Sequence, residues 1–281
     1  DVAVTGVQTC ALPISGFLDE KQEDIKPFSE IISVVQDETR AGSLSFTLSM
    51  LSGVNANIKN LLTIDAWRVY EKIQKRWFSY SKRKVISNRE HINELDNLLI
   101  YLIAYKELID ESISNDQGLI LYDIGAKIET SLLLISKMRS LLCSKYDKLL
   151  EYDILDSMLN SYESYNAYRA HYRATLDLEN VVEFLLFNSK YKKSLIYIVE
   201  QILNSLKELP NSSENLYLDS FEEPVFKVYS MLKLSNANKL LKTKEKDTVY
   251  LHLDKFLATM SDLLSHTSEE LTKTYFSHYN E

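Results

Sequence analysis

The fold class is decided by the stretch from Gln117 to Cys143, which reads QGLILYDIGAKIETSLLLISKMRSLLC. Its apolar residues recur at spacings of three and four: Ile120, Leu121, Ile124, Ile128, Leu132, Ile135, Met138 and Leu142. Such spacing places side chains on one face of an α-helix. The stretch therefore predicts a long helix with one face in a core.

The same periodicity continues on both sides of this stretch, from about Pro27 to the last residues. One of the other predicted core stripes consists of Ile92, Leu95, Leu99, Leu102 and Ile103. No segment alternates with the period of two that a strand requires, and the 281 residues include only 6 Gly and 4 Pro, too few for the turns of a β-sandwich or barrel. The sequence predicts an all-α fold, a single helical bundle-like domain.

Thr267-Ser-Glu-Glu270 has the form of a capping box, so we expect it to begin the last helix.

The chain also contains an internal repeat. Val34-Val-Gln-Asp37, followed by Ser43-Leu44, aligns with Leu185-Leu-Phe-Asn188, followed by Ser194-Leu195, at a constant offset of 151 residues. In both copies a short apolar helix ends, a polar turn follows, and a serine is placed to cap the next helix. We predict two related halves, with long helices that begin at Ser43 and Ser194.

The composition excludes several classes of function. Lys and Arg total 32 against 40 for Asp and Glu, a net charge of −8, so we expect no nucleic-acid partner. The longest uncharged apolar run, from Asn97 to Tyr105, is far shorter than the ~18 residues of a membrane span, so we expect no membrane partner. The two Cys suggest neither a disulfide framework nor a zinc motif. A reducing, cytoplasmic location is the expectation.

Residues 1–15 have no helical period and carry Cys10. The run from Val4 to Ile14 resembles the in-frame translation of a sequencing adapter, and it lacks the basic start of a secretory signal. We predict that residues 1–15 are not native, that they do not pack on the core, and that residues 16–281 form a helical domain whose natural start is truncated.

The sequence contains no motif of a known catalytic or metal centre. The five His do not stand at zinc or di-iron spacing, and neither a glycine-rich phosphate loop nor a Gly-x-Ser-x-Gly motif occurs. We therefore predict neither a metal nor a cofactor. Cys143, near the end of an apolar helix, is expected to be a packed core thiol.

Two groups of residues are candidate sites. In the first, Asp116 precedes the helix, Gly125 lies in its middle, and Glu129 follows one turn later at the edge of the apolar stripe. Gly125 allows a second helix to approach closely, and the Glu129 carboxylate would then contact that helix. The alternative is a tolerated glycine beside a solvated glutamate.

The second group comprises Tyr168, Arg169, Tyr172 and Arg173, in which the two arginines stand one turn apart. Such a strip could bind a carboxylate or form a buried ion pair with Glu129. The alternative is an interface helix whose tyrosine rings pack while their hydroxyls remain in water. We predict that Glu129 is at least partly buried and pairs with Arg169 or Arg173.

These segments resemble motifs of the bacterial alpha-E domain family, an all-helical domain named for a Glu-Arg motif. The segment Asp116–Glu129 is similar to the family's Asp-Glu-Gly-Trp-x-Phe-x-x-Leu-Gly-Arg-x-Leu-Glu-Arg helix, and Tyr165–Arg173 to its Tyr-Arg-x-x-Tyr-Arg segment. The segment Val181–Leu195 resembles its Phe-Leu-Leu-x-Asp-x-x-x-Pro-x-Ser-Leu element. The resemblance runs from about residue 28 to the end. It departs from the family at Thr130, which stands where the motif has Arg, and in the absence of the family's opening Glu-Arg helix upstream of Pro27.

The resemblance implies association with other proteins. Alpha-E domains occur beside or fused behind circularly permuted ATP-grasp ligase-like proteins, and near transglutaminase-like proteases. The implied function is a non-catalytic partner domain of a system that forms or modifies peptide or amide bonds. Two alternatives remain open: an enzyme that acts on a carboxylate or peptide substrate through Glu129 with Arg169 and Arg173, or a dimerisation or scaffold module. Homo-oligomerisation is left open as well.

Overall fold

The computed structural model describes residues 27–59, 62–83, 87–112, 117–173, 176–209, 217–244 and 246–276. Within these residues the chain forms twelve helices: α1 (Pro27–Gln36), α2 (Leu44–Ile58), α3 (Ile64–Ser81), α4 (Asn88–Ser112), α5 (Gln117–Leu142), α6 (Lys148–Ser161), α7 (Tyr165–Tyr172), α8 (Leu178–Phe187), α9 (Leu195–Lys207), α10 (Glu222–Leu234), α11 (Ala237–Leu240) and α12 (Leu251–Phe276). The only β-type pairing among them is an isolated bridge between Ser144 and Val249. The predicted all-α fold is confirmed, while residues 1–15 lie outside the described part.

The chain divides into two compact units, residues 1–119 and residues 120–281. The first contains α1 to α4, and the division falls in the first turn of α5. The second contains the rest of α5 and the helices α6 to α12.

The core of the first unit lies between α3 and α4 and is closed by α2. Its buried apolar residues are Leu48, Ala66, Tyr70, Ile73, Trp77, Tyr80, Leu98, Tyr105 and Ile109. Several polar groups are buried with them and hydrogen-bonded. The Tyr105 hydroxyl donates to Asn55 Oδ1 at 2.7 Å, and Trp77 Nε1 donates to Ser45 Oγ at 3.0 Å. Hydrogen bonding offsets the desolvation of such groups, so these pairs fix how the three helices meet.

The second unit has a more apolar core. In α8 and α9 every core position is aliphatic or Phe, including Val181, Phe184, Leu185, Ile202 and Leu206, and all five are at most 1% exposed. Helix α10 packs against both α9 and α12. The C-terminal part of α5 is tied to α12, because Arg139 Nε donates to Asp254 Oδ1 at 2.8 Å and Tyr250 N donates to the Cys143 carbonyl at 2.7 Å.

The predicted repeat is present as a repeated set of hydrogen bonds. Ser43 caps α2, since its Oγ accepts from Phe46 N at 3.0 Å, and Ser194 caps α9 by accepting from Tyr197 N at 3.3 Å. Each serine hydroxyl also donates to the carbonyl six residues earlier, at Asp37 and Asn188 respectively. The predicted starts of both helices at Ser-Leu pairs are therefore confirmed.

The backbone of the two turns agrees further. The side-chain oxygen of Asp37 accepts from Thr39 N at 2.9 Å, and the amide oxygen of Asn188 accepts from Lys190 N at 3.0 Å. Both turns also contain the same two backbone hydrogen bonds, each between residues three apart. Every partner in one turn lies 151 residues from its counterpart in the other.

One position in the turn differs in chemistry between the copies. Arg40 bridges back to α1, donating to Ser33 Oγ at 3.0 Å and pairing with Glu30 at 2.6 Å. The equivalent Tyr191 stacks on Phe184, with ring centres 4.3 Å apart, and its hydroxyl lies 2.6 Å from Ser164 Oγ. The turn is therefore held to the helix before it by an ion pair in the first unit and by an aromatic stack in the second.

Two sequence expectations are wrong. Thr267 does not begin a helix, because α12 runs unbroken from Leu251 to Phe276 and the Thr267 hydroxyl donates to the Leu263 carbonyl one turn earlier. The stripe expected on α4 is divided between two faces. Leu95 and Leu102 pack on the core, whereas Ile92, Leu99 and Ile103 are 59%, 51% and 56% exposed.

The turn geometry gives a test of the serine caps. We expect Ser43→Ala and Ser194→Ala each to lower the free energy of unfolding by about 1–2 kcal/mol, because a helix amide and a carbonyl lose their partner in a buried turn. Ser49→Ala, at an exposed position within α2, is the matched control and should change little. Denaturant unfolding of the four proteins measures this, and cap variants as stable as the control would contradict the assignment.

Candidate functional site

The structure separates the residues that the sequence proposed as a site. Asp116 lies outside the described residues. Gly125 and Glu129 are on α5, while Tyr168, Arg169 and Tyr172 are on α7. Arg173 ends α7 in the left-handed conformation, with a φ of 44°.

Gly125 does not mark a close helix contact. A Cβ built on it would meet nothing within 4 Å. The expected approach of a second helix is therefore wrong, because the space above this glycine is open.

Glu129 is half-buried, as expected, but its expected pairing is wrong. Among the described residues its carboxylate forms no ion pair, and neither Arg169 nor Arg173 bonds to it. Both arginines are exposed. Burial alone raises the pKa of Glu129, since no nearby cation offsets the loss of hydration. The carboxylate thus lies at the edge of the apolar stripe without compensation from a described neighbour.

The tyrosines of α7 belong to an aromatic cluster. Tyr168 is 1% exposed, and its ring lies 5.0 Å from that of Tyr172 and 5.6 Å from that of Phe184. Phe184 in turn stacks on Tyr191 in the turn before α9. Burial raises the pKa of Tyr168 to about 12, so this phenol remains protonated at neutral pH. The cluster fixes α7 against α8, and this is a packing role.

The arginines of α7 are exposed and, within the described residues, make no cation–π contact or hydrogen bond with the rings of this cluster. The guanidinium of Arg169 lies 5.8 Å from the ring centre of Tyr165 on the same helix, and Arg173 is exposed at the helix end. The structure therefore does not assemble Glu129, Arg169 and Arg173 into one contact network within the described residues.

The remaining side chains that could bind a metal or act as a nucleophile do not form a site either. In the described ranges no three His, Cys, Asp or Glu side chains are close enough to hold a metal ion. Cys143 is 4% exposed, and burial is the main cause that raises the pKa of its thiol to about 12. It is a packed thiol and not a thiolate nucleophile. No helix in this part of the chain is long and apolar enough to cross a membrane.

A small pocket that the sequence did not indicate opens in the first unit. It has a volume of about 230 Å³ between α2 and α3, and its walls include Tyr70, Trp77 and Phe78. Two pairs of polar groups in its wall are bonded to each other, since Trp77 Nε1 donates to Ser45 Oγ and Gln74 Nε2 donates to the Tyr70 hydroxyl. The first of these bonds holds α2 and α3 together beside the pocket.

An exposed apolar surface lies at one end of the second unit, where the segment after α5 meets the segment before α12. Lys145 N donates to the Thr248 carbonyl at 2.8 Å, and Tyr250 N donates to the Cys143 carbonyl. The first turn of α6 lies near these two hydrogen bonds. Burial raises the pKa of Tyr250, and the negative charge of Glu151 in that turn is close enough to raise it further. Four apolar side chains here are exposed by 39–80%: Leu149, Leu150, Val249 and Leu251.

Several lysines stand in the same segments as these four side chains. Lys145 Nζ donates to the Lys244 carbonyl at 3.1 Å, which brings the exposed 242–244 segment to the same place. The lysines of these segments are Lys145, Lys148, Lys242, Lys244 and Lys246, and the described acidic residues among them are Asp147, Glu151 and Asp247. We name the four apolar residues and these five lysines the lysine-rimmed corner. Periodicity could not reveal it, since it is formed by helix ends and loops.

Comparison with known proteins places this chain among helical domains. A family model, Alpha-E, described as a predicted alpha-helical domain with a conserved ER motif, matches residues 4–276. Uncharacterized proteins from Mycobacterium bovis and from two strains of Mycobacterium tuberculosis are 24% identical over 254 residues, which is 88% of this chain and 28% of each relative. The chain thus spans little more than a quarter of the length of these curated relatives. No solved structure matches it.

The open space at Gly125 predicts the effect of filling it. Gly125→Ala should stabilise the protein by about 1 kcal/mol, because alanine favours a helix interior over glycine and nothing would clash with the added methyl group. Ala126→Gly, at the neighbouring exposed position, is the reverse control and should cost a similar amount. A loss of stability in Gly125→Ala, measured by thermal unfolding, would mean that the glycine does meet another element.

The uncompensated carboxylate predicts a pH-dependent effect of Glu129→Gln. A pKa raised on folding means that the folded state binds a proton more tightly, so the ionised group costs stability as pH rises above its unfolded pKa near 4.5. We expect Glu129→Gln to raise the melting temperature at neutral pH, and this gain to disappear as the pH falls below that value. Glu269→Gln, on the exposed side of α12, is the control. A marked fall in melting temperature at neutral pH would instead indicate a stabilising ion pair.

Proposed function

Because the chain belongs to the Alpha-E family of helical domains, we propose that it is a non-catalytic partner domain of an ATP-grasp ligase-like system that forms or modifies peptide or amide bonds. One finding supports a role as one part of a larger assembly. The curated relatives carry this region as 28% of their length, so in them it is joined to other polypeptide. The arrangement of Glu129, Arg169 and Arg173 lends no support to the rival reading as an enzyme.

The observation that carries the proposal is the lysine-rimmed corner. Leu149 is 80% exposed and Leu251 is 53% exposed, although both stand in the first turn of a helix beside a hydrogen-bonded link. Clustered apolar side chains ringed by charge are typical of protein interaction sites. Covering these side chains would remove their apolar area from water, at roughly 1.5–3 kcal/mol for each one fully buried.

The charge of the corner indicates what kind of surface would cover it. Among the described residues, five lysines stand here beside three acidic residues, Asp147, Glu151 and Asp247, which leaves an excess of two positive charges in a chain whose net charge is −8. Opposite charge on a partner steers association and fixes orientation. We therefore propose that the ATP-grasp protein, fused or separate, presents an acidic surface with an apolar centre to this corner. A transglutaminase-like protease is the second candidate partner, and its binding is to be compared with that of the ATP-grasp protein.

A binding experiment tests the proposal. The ATP-grasp-like protein of the same genome is titrated with this chain and with the variant Leu149→Ser/Leu251→Ser. We expect the variant to raise the dissociation constant more than tenfold, because two apolar contacts are lost while the charge of the corner is unchanged. Its melting temperature should be unchanged, since both side chains are already exposed. Binding of the unmodified chain should weaken as salt is raised.

The matched control is Leu234→Ser, at a residue of α10 that is 77% exposed. It removes one exposed apolar side chain outside the corner and should leave binding unchanged. Equal affinity of the corner variant and the control would overturn the proposed surface, and no binding by the unmodified chain would overturn the partnership. A corner variant that instead changes the oligomeric state on size exclusion would identify a dimerisation module.

A further inference from the structure

The two units correspond residue by residue, so each is a reference for the other. The serine-capped turn and the helix that follows it align at an offset of 151 residues. Helices α4 and α12 align at an offset of 162, since the core residues Leu98 and Tyr105 correspond to the buried Met260 and Thr267. A position at which one unit has open space and the other has a large side chain therefore marks a property of one unit alone.

The pocket between α2 and α3 lies at such a position. On α2 its wall includes Ser45 and Ser52. The residues 151 positions later, on α9, are Ile196 and Leu203. Ile196 is 4% exposed and Leu203 is half-buried. The second unit thus has large aliphatic side chains at the places where the first unit has small hydroxyl side chains beside an open pocket.

Three polar groups of the pocket wall are free to bind a ligand. Within the described residues the carboxylate of Glu38, in the turn before α2, forms neither an ion pair nor a hydrogen bond, and the hydroxyls of Ser49 and Ser52 form no hydrogen bond. All three groups can accept hydrogen bonds. Glu38 is also the one charged side chain among the described residues of the wall, and its counterpart in the second unit is Ser189.

The α3 side of the pocket is aromatic. It presents Tyr70, Trp77 and Phe78, and Ile73 adds an aliphatic surface. The faces of aromatic rings attract cations. One of these rings already contacts a cation, because Lys82 Nζ lies 3.7 Å from the ring centre of Phe78. Aromatic walls with a single carboxylate fit a ligand that is positively charged at one end and apolar over the rest of its length.

The size of the pocket restricts this ligand further. A volume of about 230 Å³ is smaller than the sites of drug-sized ligands, which begin at about 300 Å³. It is larger than the cavity of about 150 Å³ that binds benzene in a protein core. The pocket therefore fits a chain of about five carbon atoms that ends in one charged group.

We propose that this pocket binds a primary ammonium group on a short aliphatic chain, with the carboxylate of Glu38 at the charged end and the rings of Tyr70 and Trp77 beside the chain. An ammonium has three hydrogen-bond donors and no acceptor, which matches a wall with free acceptors. A free amine and the lysine side chain of a peptide share this chemistry. The pocket and the lysine-rimmed corner lie in different units and share no residue, so the inference does not depend on the proposed function.

A ligand series tests the charge preference. The 281-residue chain is titrated at pH 7 with pentylamine, which is protonated there as lysine is, and with pentan-1-ol and pentanoate, which have the same chain without the positive charge. The indole N–H signal of Trp77 in the pocket wall reports binding by NMR. We expect a dissociation constant of about 1–10 mM for pentylammonium, as its size allows. Pentan-1-ol should bind at least tenfold more weakly, and pentanoate should not bind.

Two variants locate the binding. Glu38→Gln removes the charge from an exposed side chain and should raise the dissociation constant of pentylammonium at least threefold, whereas Glu107→Gln, exposed on α4 outside the pocket, should not. Ser52→Leu introduces the residue of the second unit and should abolish binding by filling the pocket. Asn57→Leu, at an exposed place on α2, is its control. Thermal unfolding checks that each variant folds, and Glu38→Gln decides the matter if Ser52→Leu does not.

The outcomes distinguish the proposal from its rivals. Pentan-1-ol that binds as tightly as pentylammonium would overturn it, and so would equal affinities of Glu38→Gln and Glu107→Gln or binding retained in a folded Ser52→Leu. Titration with N-acetyl-lysinamide separates the two sources of the ammonium. Tighter binding than pentylammonium assigns the pocket to the lysine side chain of a peptide, and weaker binding assigns it to a free amine.

Discussion

Each unit depends on one serine hydroxyl that makes two hydrogen bonds inside a turn. Ser43 and Ser194 are both 0% exposed, and each accepts from the amide that begins a helix while donating to a carbonyl that ends the previous one. Because both bonds share one oxygen, the angle between the two helices and the start of the second helix are fixed together. The helices that pack on these pairs, α3 on α2 and α10 on α8 and α9, take their positions from that angle. A buried donor or acceptor without its partner is costly, which makes the turn sensitive to a change of a single atom.

The two units share the serine-capped turn and its hydrogen bonds, but their cores differ. In the first unit Asn55 and Tyr105 bond to each other between α2 and α4. The residues at the equivalent places in the second unit are Leu206 and Thr267, each 0% exposed. Likewise His91, which lies 2.5 Å from the Tyr80 hydroxyl, corresponds to Leu253. The first unit therefore gains orientation from directional bonds, while the second gains stability from close apolar packing.

Much of this fold follows from local sequence, and what does not follow is tertiary. Periodicity predicted the helices, and the Ser-Leu pairs predicted where two of them begin, because a cap is decided by a few neighbouring residues. Periodicity could not decide which face of α4 meets the core, since Ile92, Leu99 and Ile103 are as apolar as Leu95 and Leu102. The capping sequence at Thr267 was overridden because Leu264 and Leu271 keep α12 on its core face through that point. Pairing of Glu129 with an arginine required helices distant in sequence to meet, and no local pattern specifies that.

The exchange of Arg40 for Tyr191 has a further consequence. In the first turn, Arg40 is held to α1 by an ion pair between side chains that remain 24% and 30% exposed, so dissolved ions screen the attraction. In the second turn, Tyr191 is held to α8 by a ring stack that carries no charge, so salt does not screen it. Two turns with the same backbone therefore differ in their sensitivity to the salt around them.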